Sequence, residues 1–197
     1  MNRRVSVLAT HLANFIPETA SLKGLDVGCG SGEVGLQLME SRPRVSLTGV
    51  DVLVRSQTAI PVKQFDGKTL PFGDNSFDFV LLVDVLHHTR YPAELLAECD
   101  RVSRQFILIK DHNCNSNWDR LRLRFMDWVG NRSYGVALPY NYLSSLQWQQ
   151  LYQQVGTCRE GTIANLNLYP VPLSWIFDAS LHFVDRMAVK SVIAFVG

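Results

Sequence analysis

The 197-residue sequence lacks several features that would place it in a special class of protein. No run approaches the ~18 consecutive apolar residues of a membrane-spanning helix, so we expect a soluble protein with at most peripheral membrane contact. Its four cysteines form no C-x-x-C pair, which favours reduced thiols in the cytoplasm and gives no metal site. Because the formal net charge is only +1, long-range attraction to nucleic acid is weak.

The composition is that of a globular protein, with 47% hydrophobic and 19% charged residues. A chain of this length suits one full core, so we expect a single domain over residues 1–197. Apolar residues between Val5 and Ile16 recur at helical spacing and stop before Pro17. This pattern predicts an amphipathic covering helix rather than a signal peptide.

The first two thirds of the chain alternate strand-like and helix-like segments. This alternation predicts an α/β fold, a Rossmann-like doubly wound, mostly parallel sheet of about seven strands with helices on both faces. The predicted strands cover residues 22–27, 45–50, 62–65, 77–83 and 106–109, and a helix follows Tyr91 over residues 92–102.

The alternation breaks after the fifth strand, and residues 113–140 form a long insertion. A helix that begins at Ser116 or Asn117 and ends at Gly130 fits its caps, although alternating arginines at 120, 122 and 124 also fit a strand. Beyond it we expect a helix over 143–155, a strand over 162–168, and a last strand over either 181–184 or 189–195.

A glycine-rich turn follows the first strand. Its glycines at 28, 30 and 32 allow a tight turn and a close approach of the backbone to a ligand. A dinucleotide fingerprint would need a glycine or alanine three residues after Gly30, where this sequence has Glu33. Asp26, just before the turn, would repel a pyrophosphate and suits a ligand with a cationic amino acid end.

Two further acids end the second and third strands. Asp51 stands about 20 residues after the glycine turn, where a carboxylate can accept hydrogen bonds from ribose hydroxyls. Asp66 can accept from an adenine amino group, while the N–H of Gly67 approaches the ring edge. The carboxyl ends of parallel strands meet at one edge, so we expect these acids around one crevice.

Taken together, these segments resemble the class I S-adenosylmethionine-dependent methyltransferases, in particular the subgroup of ubiquinone-biosynthesis and similar small-molecule enzymes. The matching segments are LDVGCGSG at 25–32, GVD at 49–51, FDGKTLPFGDNSFDFVLLVDVLHH at 65–88 and ECDRV at 98–102. The resemblance implies that S-adenosylmethionine is the cofactor, with Asp26 and the glycines around its methionine part and Asp84 near the transferring methyl. The expected cofactor-binding set is Asp26, Gly28, Cys29, Gly30, Gly32, Asp51, Val52, Asp66, Gly67, Asp84 and Val85.

The sequence departs from the family pattern in three places, one of which is that Ser103-Arg104-Gln105 replaces the Gly-Gly turn common before the fifth strand. The link from Asp51 to the third strand is short and contains Pro61, so we expect a turn where the family has a helix. The segment after Lys110 matches no acceptor-binding pattern.

Methyl transfer to a hydroxyl or an acidic carbon is helped by a general base, most often a histidine. The candidates are His87 and His88 after the fourth strand, and His112 with Asp111 after the fifth. The two consecutive histidines could instead only pack beside the cofactor. We therefore expect His112, Asp111 and His88 as catalytic residues, with no bound metal.

The insertion is rich in aromatic residues and carries three arginines. It could cover an apolar acceptor at an anionic membrane surface, or it could be a helix packed on the sheet with a solvated basic face. Its aromatic residues with those that follow are Trp118, Phe125, Trp128, Tyr134, Tyr140 and Tyr142. We expect methylation of a small or lipid-like acceptor; RNA or protein methylation, or cofactor binding without catalysis, are the alternatives.

Overall fold

A computed structural model describes residues 2–19, 21–131, 140–178, 181–190 and 192–193. Its elements, in chain order, are α1 (Arg3–Ala13), β1 (Leu22–Val27), α2 (Glu33–Ser41), β2 (Val45–Asp51), β3 (Val62–Gln64), β4 (Phe77–Val83), a 3-10 turn (Leu86–His88), α3 (Pro92–Val102), β5 (Ser103–His112), α4 (Asn117–Asn131), α5 (Ser145–Val155), β6 (Cys158–Ala164), α6 (Leu173–Phe177) and β7 (His182–Ala188). None of the helices in these ranges is long and apolar enough to cross a membrane.

The strands form one seven-stranded sheet in the order β3-β2-β1-β4-β5-β7-β6. Strands β1 to β5 pair in parallel, and β7 pairs antiparallel with both β5 and β6. The order reverses between β1 and β4, and in open α/β sheets such a switch point creates a crevice at the carboxyl ends of the strands. The expected mostly parallel, Rossmann-like sheet is confirmed.

Helices cover both faces of the sheet, as the sequence predicts. Leu8 and Leu12 of α1 and Leu38 of α2 are buried in one hydrophobic core. Leu95 and Leu96 of α3 belong to a second core, together with the buried residues of α5. A central strand must be apolar toward both of these layers, which explains why β4 reads as a nearly continuous apolar run.

Strand β5 is longer than the sequence predicts. The sequence predicts that it ends at Ile109, before the charged residues Lys110 and Asp111. The structure instead continues the pairing through Lys110, Asp111 and His112, which match Val184, Phe183 and His182 of β7. The expectation that His112 and Asp111 follow the strand is therefore wrong; their charges are buried because each finds a partner, as described below.

The C-terminal third shows the largest shifts in boundary. The strand expected over 162–168 is found earlier, at Cys158–Ala164, and helix α5 begins two residues later than predicted. Strand β7 corresponds to the 181–184 alternative. Residues 191, 194 and 195 of the other alternative, 189–195, lie outside the described residues.

The insertion contains a helix, α4, rather than a strand, and it continues past Gly130 to Asn131. The interpretation that it packs its apolar face on the sheet is wrong. Leu123 points inward and is buried, while Leu121, Phe125 and Trp128 are all more than half exposed. Tyr134 lies outside the described residues.

Candidate active site

A cavity of about 950 Å³ opens at the carboxyl ends of β1, β2, β4 and β5. This is the size of a pocket for a cofactor-sized molecule together with a small one. Most residues singled out from the sequence line it: Asp26, Gly28, Cys29, Gly30, Asp51, Val52, Asp66, Gly67, Asp84, Val85, His88 and His112. Gly32 and Asp111 do not line the cavity and lie behind its wall.

The glycine turn brings bare main chain to the cavity. Gly28 has φ +68°, and a Cβ atom there would lie 2.7 Å from a methyl group of Val85. Gly32 has φ +76°, and its Cβ would lie 2.6 Å from Ile60. Both positions combine a left-handed backbone with a close neighbour, so any side chain would strain the turn.

Asp51, at the end of β2, holds the glycine turn in place. Its Oδ2 accepts a hydrogen bond from the N–H of Gly30 at 2.8 Å, and its Oδ1 accepts one from the N–H of Leu53 at 3.0 Å. Each carboxylate oxygen has a second lone pair that can accept a ligand hydroxyl. The residues after Asp51 form turns rather than a helix before β3, as the short link predicts.

Asp26 is a buried acid in the wall of the cavity. Burial, and next the negative charge of Asp51, raise its pKa to about 7. A nearby cation, such as the ammonium of an amino acid, would therefore stabilise the ionised form of the Asp26 carboxyl. Burial and these two acids also raise the pKa of the Cys29 thiol, so Cys29 stays protonated and is not a nucleophile.

Asp66 and Gly67 form an exposed turn after β3. Oδ1 of Asp66 accepts hydrogen bonds from the N–H groups of Thr69 at 2.7 Å and Lys68 at 2.8 Å, and these bonds lower the pKa of Asp66. Gly67 has φ +80°, and a Cβ there would lie 3.1 Å from Val52. The turn therefore brings an ionised acid and bare backbone beside Val52.

Asp84 follows β4 in a left-handed conformation, with φ +57°. Its carboxylate pairs with the fully buried ammonium of Lys110 and, at 2.6 Å, with the guanidinium of Arg4. Burial alone would raise the pKa of Asp84, but these two cations hold it well below the usual range. Arg4 thus joins α1 to the site, a contact that helical periodicity alone could not predict.

His87 and Asp111 form a buried pair at the inner wall of the cavity, which His87 lines and Asp111 supports from behind. Nδ1 of His87 lies 2.6 Å from Oδ1 of Asp111. Although burial opposes charge on both groups, their mutual attraction raises the pKa of His87 and lowers that of Asp111. Nε2 of His87 makes no hydrogen bond within the described residues, and Asp127 of α4 lies 3.8 Å from it.

The other two histidines are placed differently. Burial and the positive charge of His87 lower the pKa of His88 to about 4, so His88 remains neutral. His112 lies between two acids, with Nδ1 3.2 Å from Asp111 and Nε2 3.6 Å from Asp84. Burial and the charge of Lys110 lower the pKa of His112. Sequence reasoning paired Asp111 with His112, whereas the shorter contact of Asp111 is to His87.

Four of these side chains could in principle hold a metal ion. One ligand atom each from Asp84, His87, Asp111 and His112 lie within 4.8 Å of one another. However, the Lys110 ammonium already pairs with Asp84, and Asp111 already accepts from His87. A divalent cation would have to displace both, so the cluster is better suited to holding protons.

The far wall of the cavity is apolar and comes from the insertion and the C-terminal third. It consists of Phe125, Met126 and Val129 of α4 with Leu173 and Phe177 of α6. The rings of Phe125 and Phe177 stack with centroids 6.2 Å apart. Sequence reasoning missed the α6 residues, because that short segment has neither a motif nor a clear period.

The glycine turn beside bare backbone and three acids fits S-adenosylmethionine, which has a cationic amino acid end, a ribose and an adenine but no phosphate. The fold around this site is the Rossmann-like, mostly parallel sheet that the sequence predicts. Residues 25–105, less than half of the chain, match a family model described as a methyltransferase domain.

Three curated relatives are methyltransferases. The chain is 26% identical over 110 residues to the 27-O-demethylrifamycin SV methyltransferase of Amycolatopsis mediterranei, covering 49% of this chain and 40% of the relative. It is 30% identical over 122 residues to the ubiquinone/menaquinone biosynthesis C-methyltransferase of Cupriavidus metallidurans, covering 58% and 49%. It is 33% identical to the phthiotriol/phenolphthiotriol dimycocerosates methyltransferase 1 of Mycobacterium ulcerans, covering 49% of this chain and 37% of the relative. The chain spans less than half the length of each relative.

Solved structures share the fold at low identity. A chain in the complex of the Haloferax volcanii Trm112 methyltransferase activator superposes with a TM-score of 0.72 at 15% identity, covering 96% of this chain and 91% of that one. A SAM-dependent methyltransferase from Thermotoga maritima gives 0.66 at 19% identity, covering 95% and 89%. The sequence matches support an S-adenosylmethionine-dependent methyltransferase, and the solved structures show that the fold is shared.

Proposed function

We propose that this protein transfers a methyl group from S-adenosylmethionine to a small or lipid-like acceptor that carries an acidic proton. The observation that carries the proposal is that a single cavity joins the glycine turn, a buried histidine–aspartate pair and an apolar wall. The names of the three curated relatives, which concern a rifamycin, quinones and phthiotriols, support this substrate class.

The cofactor would be held by the residues that the sequence predicts. Asp51 would accept from the ribose hydroxyls, and Oδ2 of Asp66 from the adenine amino group. Asp26 would face the ammonium of the methionine part, with Gly28, Gly30 and Gly32 leaving room for it and Cys29, Val52, Gly67 and Val85 lining the pocket. When bound, the cofactor supplies an activated methyl group on a sulfonium.

The chain's own part in the reaction is to position the acceptor and take its proton. We propose His87 as the general base, because its ring lines the cavity and its Nε2 makes no hydrogen bond within the described residues, while Nδ1 is held by Asp111. Asp111 orients the ring and stabilises the imidazolium that forms. His112 and His88, the candidates from the sequence, would line the acceptor side of the cavity. Beside them, the carboxylate of Asp84 would balance the charge of the Lys110 ammonium.

The apolar wall suits an acceptor with a hydrophobic body. Phe125, Val129 and Phe177 offer no charge to a nucleic acid backbone, which disfavours RNA as the acceptor. Helix α4, within the insertion at 113–140, would cover the acceptor and exclude water during transfer. In this proposal, residues 1–197 act as one domain.

The direct test is to incubate the purified protein with methyl-labelled S-adenosylmethionine and separate lipid, polar small-molecule, RNA and protein fractions of a cell lysate. The proposal expects label in a small-molecule or lipid product, found by mass spectrometry, and none with His87→Ala. Label in RNA or protein alone would refute the acceptor class. Cofactor binding without any labelled product would indicate a non-catalytic binding protein.

A further inference from the structure

The outer surface of α4 and the segment that leads into α6 is apolar and exposed. We define the outer apolar face as the following residues, which are between 46% and 72% exposed: Trp118, Leu121, Phe125, Trp128, Val129, Val171, Leu173, Trp175 and Ile176. Three of the four tryptophans of the chain lie on it, and the fourth, Trp148, is buried. An exposed apolar patch of this kind marks an interaction surface.

The two helices form a continuous surface. Nη1 of Arg122 donates a 2.7 Å hydrogen bond to the carbonyl of Ile176, and the rings of Phe125 and Phe177 stack. The outer apolar face is also continuous with the cavity, because Phe125, Val129 and Leu173 belong to both. A molecule moving from this face into the cavity would therefore keep apolar contacts along its whole path.

The exposed charges that α4 contributes beside the outer apolar face have one sign. Arg120 and Arg124 of α4 are exposed beside the apolar stripe. The acids of the same helix turn away from solvent: Asp119 pairs with Arg122, and Asp127 accepts from the hydroxyl of Tyr142. The segment 165–177, which contains α6, has no charged residue at all.

Tryptophan with arginine beside an apolar stripe is the composition of a helix that lies in the interface of an anionic bilayer. A neutral protein partner would not explain why the exposed charges of α4, among the residues described, are both arginines. We propose that the outer apolar face docks on an anionic lipid bilayer, so that a lipid-like acceptor enters the cavity directly from the membrane. Docking on the bilayer extends the proposed methyltransferase function. The entry of a lipid-like acceptor from the membrane rests on that proposed function.

Docking can be tested without cofactor or acceptor. The probe is phosphatidylcholine vesicles with and without phosphatidylglycerol, read out by co-sedimentation and by tryptophan emission. We expect binding to the anionic vesicles to be at least tenfold stronger than binding to the neutral ones, and the bound protein to show a blue-shifted tryptophan emission. Raising the salt concentration should weaken the binding and reduce this shift. Brominated lipids should quench the emission, because Trp118, Trp128 and Trp175 would enter the bilayer.

Three variants separate the face from the rest of the surface. Trp175→Ala should weaken binding at least tenfold through lost apolar burial, and Arg120→Gln about fivefold through one lost charge. Leu36→Ala, an exposed apolar residue of α2, should bind like the unchanged protein. Circular dichroism confirms that each variant is folded.

Two results would overturn the proposal. One is an absence of binding to anionic vesicles, or binding that Trp175→Ala and Leu36→Ala change equally. The other is a dimer in solution that Trp175→Ala dissociates while vesicles remain unbound, because a second copy would then cover the face. Vesicle binding without any methyl transfer would refute the proposed function and leave docking intact.

Discussion

Nδ1 of His87 lies 2.6 Å from Oδ1 of Asp111, and both side chains are 1% exposed. The two groups share one proton in a buried site, so each shifts the pKa of the other. Burial favours the neutral forms, but the carboxylate still raises the pKa of His87 above its ordinary value. Such a base becomes neutral, and therefore active, only above that raised pKa.

Replacing Asp111 by Asn should lower the pKa of His87, since the attracting charge is removed. We expect the titration of the His87 ring, followed by NMR of its Hε1 proton, to move to lower pH. The rising limb of the turnover profile should move with it, and turnover should fall by about 10²-fold or more, as for a disturbed general base.

The surface variant Asp74→Asn is the matched control, because Asp74 pairs with Arg101 and neither residue lines the cavity. A His87 titration in Asp111→Asn identical to that of the unchanged protein would contradict the account of this pair. Equal turnover in His87→Ala would remove His87 as the base.

Replacing Asp26 by Asn should stabilise the protein and impair its function. Asp26 has a folded pKa of about 7 against an ordinary 3.8, so its ionisation favours the unfolded state as pH rises from about 4 to 7. The asparagine does not ionise, so the variant should not lose stability over this pH range. At pH 8 its melting temperature in a thermal scan should be a few degrees higher than that of the unchanged protein.

The same variant should bind S-adenosylmethionine more weakly above pH 7. In the unchanged protein, calorimetric affinity should rise as Asp26 ionises near pH 7 and then level off, because only the carboxylate attracts the ligand ammonium. Affinity that is independent of pH in both proteins would show that Asp26 does not face the cation.

Replacing Asp51 by Ala should weaken the binding of S-adenosylmethionine at least tenfold. Two lost hydroxyl hydrogen bonds, at about 1 kcal/mol each, account for this loss. The carboxylate also holds the N–H groups of Gly30 and Leu53, so the melting temperature should be measured in parallel. Unchanged calorimetric affinity in a folded variant would be incompatible with a ribose at Asp51.

Replacing Gly28 by Ala should disturb the cofactor turn, because Gly28 has φ +68° and a Cβ would meet Val85 at 2.7 Å. We expect a loss of about 1–2 kcal/mol in denaturant unfolding and weaker cofactor binding. Gly73→Ala is the control, since its Cβ would find its nearest neighbour at 3.7 Å without a left-handed backbone. Equal stability of the two variants would rule out a close approach at Gly28.

The sequence was sufficient to predict the sheet, and most of the residues that it singles out for cofactor binding line one cavity. Strand β4 is apolar on both faces, and the turn after β1 has glycines where the backbone must be left-handed, so local chemistry specifies both. The family resemblance over residues 25–105 adds to this. These features depend on neighbours in sequence and are readable from it.

The acceptor side could not be predicted to the same depth. Lys110 and Asp111 look like the residues that end a strand, and only their partners Asp84 and His87, more than 20 residues away, show why β5 continues through them. The outer position of the apolar stripe on α4 likewise depends on where α6 lies. Long-range pairing of this kind leaves no periodic signal in the sequence.

The central claim is that the cavity beside Asp26 and Gly28 accepts an adenosyl sulfonium rather than a dinucleotide. Calorimetric titration of the purified protein with S-adenosylmethionine, and separately with NADH, tests it most directly. The account predicts one saturable site for S-adenosylmethionine that is weakened by Asp51→Ala, and no measurable binding of NADH. Saturable binding of NADH with none of S-adenosylmethionine would contradict it.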